Sequence, residues 1–257
     1  RKLMYKILAN TIFLGKDVHF LPECHSTNDI AMDLVKNGKA IEGTIVVTDH
    51  QTRGKGQRGN SWESGQGQNI TFSLVLQPKF LDVTEQFLLN IAVSCAIVKV
   101  LKEYVPDIKV KWPNDIVAPG MGKIGGVLIE NSIGSRGWEV AIVGIGLNVN
   151  QSDFAVSTAQ SLKTLTGTEF NREELLKLLV AQLEQEYIQL KRGNVTALWR
   201  YYLSNLFLKD EWAQYSVGEQ LVEGKIIGVS ETGQLQLEDR FGVVNSFGLK
   251  EIKFLNK

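Results

Sequence analysis

The sequence predicts an α+β fold: a mixed, mostly antiparallel sheet with packed helices, followed by a small C-terminal β-barrel. Three observations carry this expectation. Strand-like segments near 108–118, 123–132 and 137–149 follow in quick succession. Helical patterns fill about 84–104, 171–190 and 194–206. After Asp210 the texture changes to short strands separated by turns such as Glu231-Thr232-Gly233.

The elements follow from local chemistry. Residues 1–25 read as short extended pieces. Ser26-Thr27-Asn28-Asp29 is an N-cap cluster, and the helix it opens ends near Gly38. The β-branched run Gly43–Thr48 reads as a strand, and Asn69–Leu76 as the next, closed by Pro78. Between them, 52–68 is a glycine-rich loop with few apolar residues. Asn171-Arg172-Glu173-Glu174 is a capping signal for a helix to about Leu190. Strands at 221–227, 234–237, 243–246 and 252–255 make up the small barrel. The expected division is 1–208 for the main domain and 209–257 for the small one.

Composition sets bounds on function. The 257 residues carry 28 Lys+Arg against 28 Asp+Glu, so the net charge is zero. A nucleic-acid partner is not expected, because such proteins usually carry a basic excess or patch, and only 25 residues precede Ser26. The two cysteines, Cys24 and Cys95, form neither a metal spacing nor a disulfide framework, which points to a reducing, cytoplasmic setting. The apolar stretch Phe87–Leu101 is interrupted by Asn90, Ser94 and Lys99, so it reads as a buried helix and no membrane association is expected.

Four constellations carry candidate chemistry. In Gln51-Thr52-Arg53-Gly54-Lys55-Gly56-Gln57-Arg58-Gly59-Asn60-Ser61-Trp62, cations alternate with glycines after a strand. Glycines let backbone N–H groups turn toward an anion while Lys and Arg supply countercharge. The loop lacks the spacing of a P-loop, and a solvated anion patch is the competing reading. In Lys109-Val110-Lys111-Trp112-Pro113-Asn114-Asp115, Pro113 ends strand pairing and sets Asn114-Asp115 in a tight turn. In Gly122-Lys123-Ile124-Gly125-Gly126-Val127-Leu128-Ile129-Glu130, alternation puts Lys123, Gly125 and Val127 on one face, and glycine beside lysine clears room for a ligand. Asp115 is placed to hold the Lys123 ammonium by a charge-assisted hydrogen bond, against the alternative of a surface lysine and an ordinary turn. In Val143–Asn150, the apolar residues share one face, while Gly144, Gly146, Asn148 and Asn150 share the other. That bare second face suits either a ligand cleft or tight packing.

Together these pieces resemble the catalytic domain of biotin–protein ligases. The resemblance rests on Ser26-Thr27-Asn28, the Gly54–Trp62 loop, Lys111-Trp112-Pro113-Asn114-Asp115, the Gly122–Glu130 strand and Gly144–Asn148, in that order. Lys55 and Gln57 stand where the family usually has arginine. The resemblance implies a class II synthetase-like catalytic fold with an SH3-like C-terminal domain. It implies ATP and Mg²⁺ as cofactors, biotin as substrate and a biotinyl-adenylate intermediate. The implied partner is a biotin carboxyl carrier protein or domain. The oligomeric state stays open, a homodimer included.

By the same resemblance, Lys123 bridges carboxylate and α-phosphate, Asp115 orients it, and Lys55 and Arg58 cover the adenylate. Ser26, Thr27 and Gln51 meet the ureido ring; Asn28, Gly56, Gln57, Gly125 and Gly126 line the ligand. Trp62 walls the valeryl chain or serves the core, and Asn114 and Asn148 face the nucleotide side, with no fixed metal ligands. Lipoate or octanoate ligases and transferases of related fold are the rival reading.

Overall fold

A computed structural model describes residues 10–135 and 137–255. Strands β1 (Val18–Leu21), β2 (Ile45–Thr48), β3 (Ile70–Leu76), β4 (Lys109–Lys111), β5 (Asp115–Ala118), β6 (Gly122–Gly134) and β7 (Gly137–Leu147) form one seven-stranded sheet. Its order is β1-β2-β3-β7-β6-β5-β4. Only β1 and β2 run parallel; every other pairing in this sheet is antiparallel. The mixed, mostly antiparallel sheet expected from the sequence is present.

Helix α1 (Thr27–Lys36) begins where Ser26 accepts the Asp29 N–H as its N-cap. It covers one face of the sheet, with Ala31 buried against Val46, Val75, Val140 and Ile142. The opposite face meets α2 (Gln86–Lys102), the short α3 (Leu162–Thr166), α4 (Arg172–Lys191) and α5 (Val195–Ser204), through a core that includes Phe72, Leu74, Val143, Ile145 and Leu147. Asn171 caps α4 by accepting the N–H groups of Glu173 and Glu174. Among the described residues one helical stretch, 83–102, has the length and apolarity to cross a membrane. Its α2 residues Leu89, Ile91, Ala96, Ile97 and Leu101 are instead sealed inside the core.

A second, antiparallel sheet holds β8 (Trp212–Val217), β9 (Gln220–Val229), β10 (Leu235–Glu238), β11 (Val244–Phe247) and β12 (Ile252–Phe254), in the order β11-β10-β9-β8-β12. This fits an SH3-like domain. The two sheets share one core, in which Trp112, Leu206, Tyr215, Ile226 and Leu235 belong to the same apolar cluster. Trp112 also donates its indole N–H to the Gly233 carbonyl at 2.9 Å.

Three details differ from the sequence reading. The segment 108–118 is a hairpin, with β4 and β5 on either side of a turn whose Trp112–Pro113 peptide is cis. Strand β8 was not expected; only Ala213 and Tyr215 of its alternating residues are buried, a weak signal for a strand. The 52–68 loop also carries local structure that the sequence reading did not specify. Trp62 N donates to Gly54 O and Gly56 N to Asn60 O, and a 3-10 turn at Gln57–Gly59 closes the small hairpin. The expected extended pieces at 1–9 lie outside the described residues.

Candidate active site

The pocket lies on the α1 side of the main sheet, and its floor comes from strand register. Side chains alternate along β7, so Val143, Ile145 and Leu147 enter the core while Gly144 and Gly146 face the other way. A row runs across four strands by direct pairing: Thr71 on β3, Gly146 on β7, Gly126 on β6 and Asp115 on β5. Two glycines in the middle leave the backbone bare. A Cβ on Gly126 would lie 3.5 Å from Lys123 Nζ and 3.6 Å from Asp115 Oδ1, inside the space a ligand needs. The cavity above this floor measures about 290 Å³, near the lower end of small-molecule sites.

Lys123 and Asp115 close one end of the row. Lys123 Nζ stands 2.7 Å from Asp115 Oδ1, with both side chains more than half buried. The structure does not put Gly125 on the same face. Val117 pairs with Lys123 and Ile116 with Gly125, so Ile124 is an extra residue in β6. The bulge breaks the alternation. Gly125 turns toward Ile116 and Leu147, while Gly126 takes the pocket position beside Lys123. This corrects the expected placement of Gly125 and Val127; Val127 is a core residue that reaches the pocket wall only from behind.

The other end is lined by neutral polar side chains. Ser26, Thr27, Asn28 and Gln51 all line it, with α1 aiming its N-terminus at the cavity. Gln51 Oε1 accepts from the Thr27 N–H at 2.8 Å and its hydroxyl at 3.2 Å. Asn28 donates to Glu130 Oε2 at 2.7 Å and to Leu128 O, and its oxygen receives Ser73 Oγ at 2.6 Å. Its amide is therefore spent on holding α1 over Gly144, where a Cβ would strike it.

The basic loop forms the roof. Lys55 ion-pairs with Asp29 in the first turn of α1, and this carboxylate holds the Lys55 ammonium above the ordinary lysine value. His25 Nε2 stands 3.7 Å from the other oxygen of Asp29. Gly56 and Gln57 line the pocket, whereas the Arg58 side chain lies outside the described residues. The Trp62 ring rests directly on Gly146, and Lys123 Nζ is 5.6 Å from its centroid. Trp62 thus walls the cavity above the floor.

Asn114 is in the pocket wall and donates to the Val127 carbonyl. Asn148 is not among the lining residues: it is buried, and its amide donates to Gln160 O at 3.0 Å, tethering the segment that leads to α3. Sequence reasoning gave no site role to Thr71, Lys111, Lys253 or Phe254, all of which line the cavity. Lys111 Nζ sits 5.1 Å from the Phe254 ring centroid. Burial pushes the Lys111 amine down, nearby Asp115 opposes this, and Lys123 adds to it. Lys253 and Phe254 come from β12, so the second sheet helps to build the pocket. Position in a distant strand gives no local signal. Lys111 was legible as part of its motif, though not its place in the wall. Among the described residues, no group of three or more His, Cys, Asp or Glu side chains is placed to hold a metal ion.

Residues 21–150 match the Biotin/lipoate A/B protein ligase family, and the chain belongs to that family. It is 30% identical over 252 residues to the bifunctional ligase/repressor BirA of Bacillus subtilis, covering 91% of this chain and 73% of that protein. It is 28% identical over 221 residues to the biotin–[acetyl-CoA-carboxylase] ligase of Mycobacterium tuberculosis, covering 83% of this chain and 80% of the relative. Among solved structures, the biotin protein ligase of Aquifex aeolicus in complex with biotin and ATP superposes with a TM-score of 0.77 at 26% identity, covering 94% of this chain and all of that one.

Proposed function

We propose that this enzyme condenses biotin with ATP to give biotinyl-5′-adenylate and pyrophosphate, then transfers the biotinyl group to a lysine of a biotin carboxyl carrier domain. The observation that carries the reading is the Lys123–Asp115 pair beside the bare Gly126–Gly146 floor, opposite an end lined by neutral polar side chains. The names of the similar ligases support biotin and ATP as the substrates.

The first step joins two anions. A carboxylate and a phosphate 4 Å apart repel by about 4 kcal/mol at an effective dielectric near 20. Lys123, fixed by Asp115, offers its remaining N–H donors to both groups as the carboxylate oxygen forms its bond to the α-phosphorus and pyrophosphate departs. Lys111 and Lys253 add positive charge on the same side of the cavity. The end lined by Ser26, Thr27 and Gln51 suits a neutral ring bearing hydrogen-bonding groups. The Trp62 ring covers the apolar stretch between the two ends and excludes water from the mixed anhydride. In the second step the acceptor amine attacks the anhydride carbonyl, AMP leaves, and the amine nitrogen loses a proton. Magnesium would enter as the counterion of ATP, part of the substrate.

Incubation with Mg·ATP, an apo carrier domain and either biotin, lipoate or octanoate tests the reading by intact mass. Addition of one biotinyl group, and of neither competitor, is the expected result. Transfer of lipoate or octanoate in preference to biotin would overturn it.

A further inference from the structure

Thr71 is a pocket residue whose polar atom has nothing to do inside the protein. It is 5% exposed and lines the cavity, and its Oγ1 has no hydrogen-bond partner among the described residues. Its neighbour on the same face of β3 shows the contrast. Ser73 Oγ lies 2.7 Å from Thr27 Oγ1 and 2.6 Å from Asn28 Oδ1, inside a fully engaged cluster. The Trp62 indole N–H is also buried without a partner, and the Trp62 ring sits on Gly146, the residue paired with Thr71. Two unpaired polar atoms therefore flank one glycine. Buried polar groups are rarely left so, and one that belongs to a pocket-lining residue calls for an explanation.

We propose that the Thr71 hydroxyl hydrogen-bonds the ureido group of bound biotin and is a specificity-determining residue of this enzyme. The assignment rests on the proposed reading, in which the carboxylate of the bound acid meets Lys123. Thr71 and the Lys123–Asp115 pair stand at opposite ends of a row three strand spacings wide, roughly 14 Å from end to end. An acid lying along the glycine floor puts its far end, the ring, beside Thr71. Lys111 and Lys123 lie at the other end, and Lys55 near this one is offset by Asp29, so the group met here is neutral. A urea offers both N–H and C=O to a hydroxyl, whereas a dithiolane ring or an alkyl tail offers neither. Biotin therefore gains a hydrogen bond that those acids cannot make.

The test is biotin-dependent ATP–pyrophosphate exchange with the wild type, Thr71→Val and Thr71→Ser, repeated with desthiobiotin, which keeps the ureido group and lacks the sulfur. Valine conserves volume and removes the hydroxyl. It should raise KM for biotin about tenfold, with a smaller effect on kcat and none on KM for ATP. The same rise is expected with desthiobiotin, and serine should restore KM to within about twofold of wild type. Should valine fail to fold, Thr71→Ala takes its place. Unchanged KM in the valine variant, an equal rise in the serine variant, or an effect confined to biotin and absent with desthiobiotin would each overturn the assignment. A wild type with no biotin-dependent exchange removes the proposed substrate and the assignment with it, whereas an active wild type beside an indifferent Thr71→Val removes the assignment alone.

Discussion

On the proposed reading Asp115 acts through Lys123, and its removal should show this. Asp115→Asn keeps the size of the side chain but withdraws the charge that fixes the ammonium 2.7 Å away. Hydrogen bonds to charged groups contribute about 1.5–3 kcal/mol, so adenylate formation should fall roughly 10- to 100-fold with the fold intact. Single-turnover adenylate formation, followed alongside thermal unfolding, checks both parts. A second residue-scale prediction concerns Cys95. Burial pushes its thiol from 9.0 up to about 12, with nearby Glu186 adding to the effect. The folded state therefore holds this proton where the unfolded chain has lost it. The resulting stability is complete below pH 9 and is lost between pH 9 and about 12, at a slope of up to about 1.4 kcal/mol per unit. Urea unfolding at pH 8 and pH 10.5 should show a smaller alkaline loss for Cys95→Ala than for the wild type; equal losses would count against this origin.

At the scale of elements, the roof hairpin and strand β6 decide how the site is shaped. The roof is held down by Lys55–Asp29 together with its own ladder bonds. Both charged groups are partly exposed, so the pair is worth at most about 1 kcal/mol. Asp29→Ala should therefore speed proteolytic cleavage within 53–62 by no more than about fivefold, and added biotin with ATP should slow it again. Cleavage unaffected by either the substitution or the ligands would show that the roof does not move over the substrates. In β7 the close approach is steric: a methyl group at position 146 would run into the Trp62 ring. Gly146→Ala should displace the indole and weaken biotin binding at least tenfold by calorimetry.

Across the whole molecule, the two sheets behave as one body because their apolar residues form one cluster and Trp112 bonds to the second sheet. Unfolding monitored by tryptophan fluorescence and by far-ultraviolet circular dichroism should give one coincident transition; two separated transitions would contradict the shared core. Much of the site was legible in the sequence because its chemistry is local. Ser26–Asn28, Gln51–Trp62, Lys111–Asp115 and Lys123 each lie within short motifs, and the alternation in Val143–Asn150 marked the bare face directly. What stayed hidden depends on register and distance. The extra residue in β6 exchanges Gly125 for Gly126, and no local pattern signals it. Asn148 sits at the strand end, where its amide turns to Gln160. Lys253 reaches the pocket only through packing of the second sheet, and Thr71 is one alternating residue in a strand buried on both faces.

The central claim is that a lysine held over a glycine floor lets two anions react, and biotin-dependent ATP–pyrophosphate exchange by Lys123→Ala tests it most directly. A preorganised donor of this kind contributes about 10²–10³ in rate, so exchange should fall by that factor while the unfolding midpoint stays within a few degrees of wild type. Exchange within a factor of three of wild type, in a folded Lys123→Ala protein, would contradict the account.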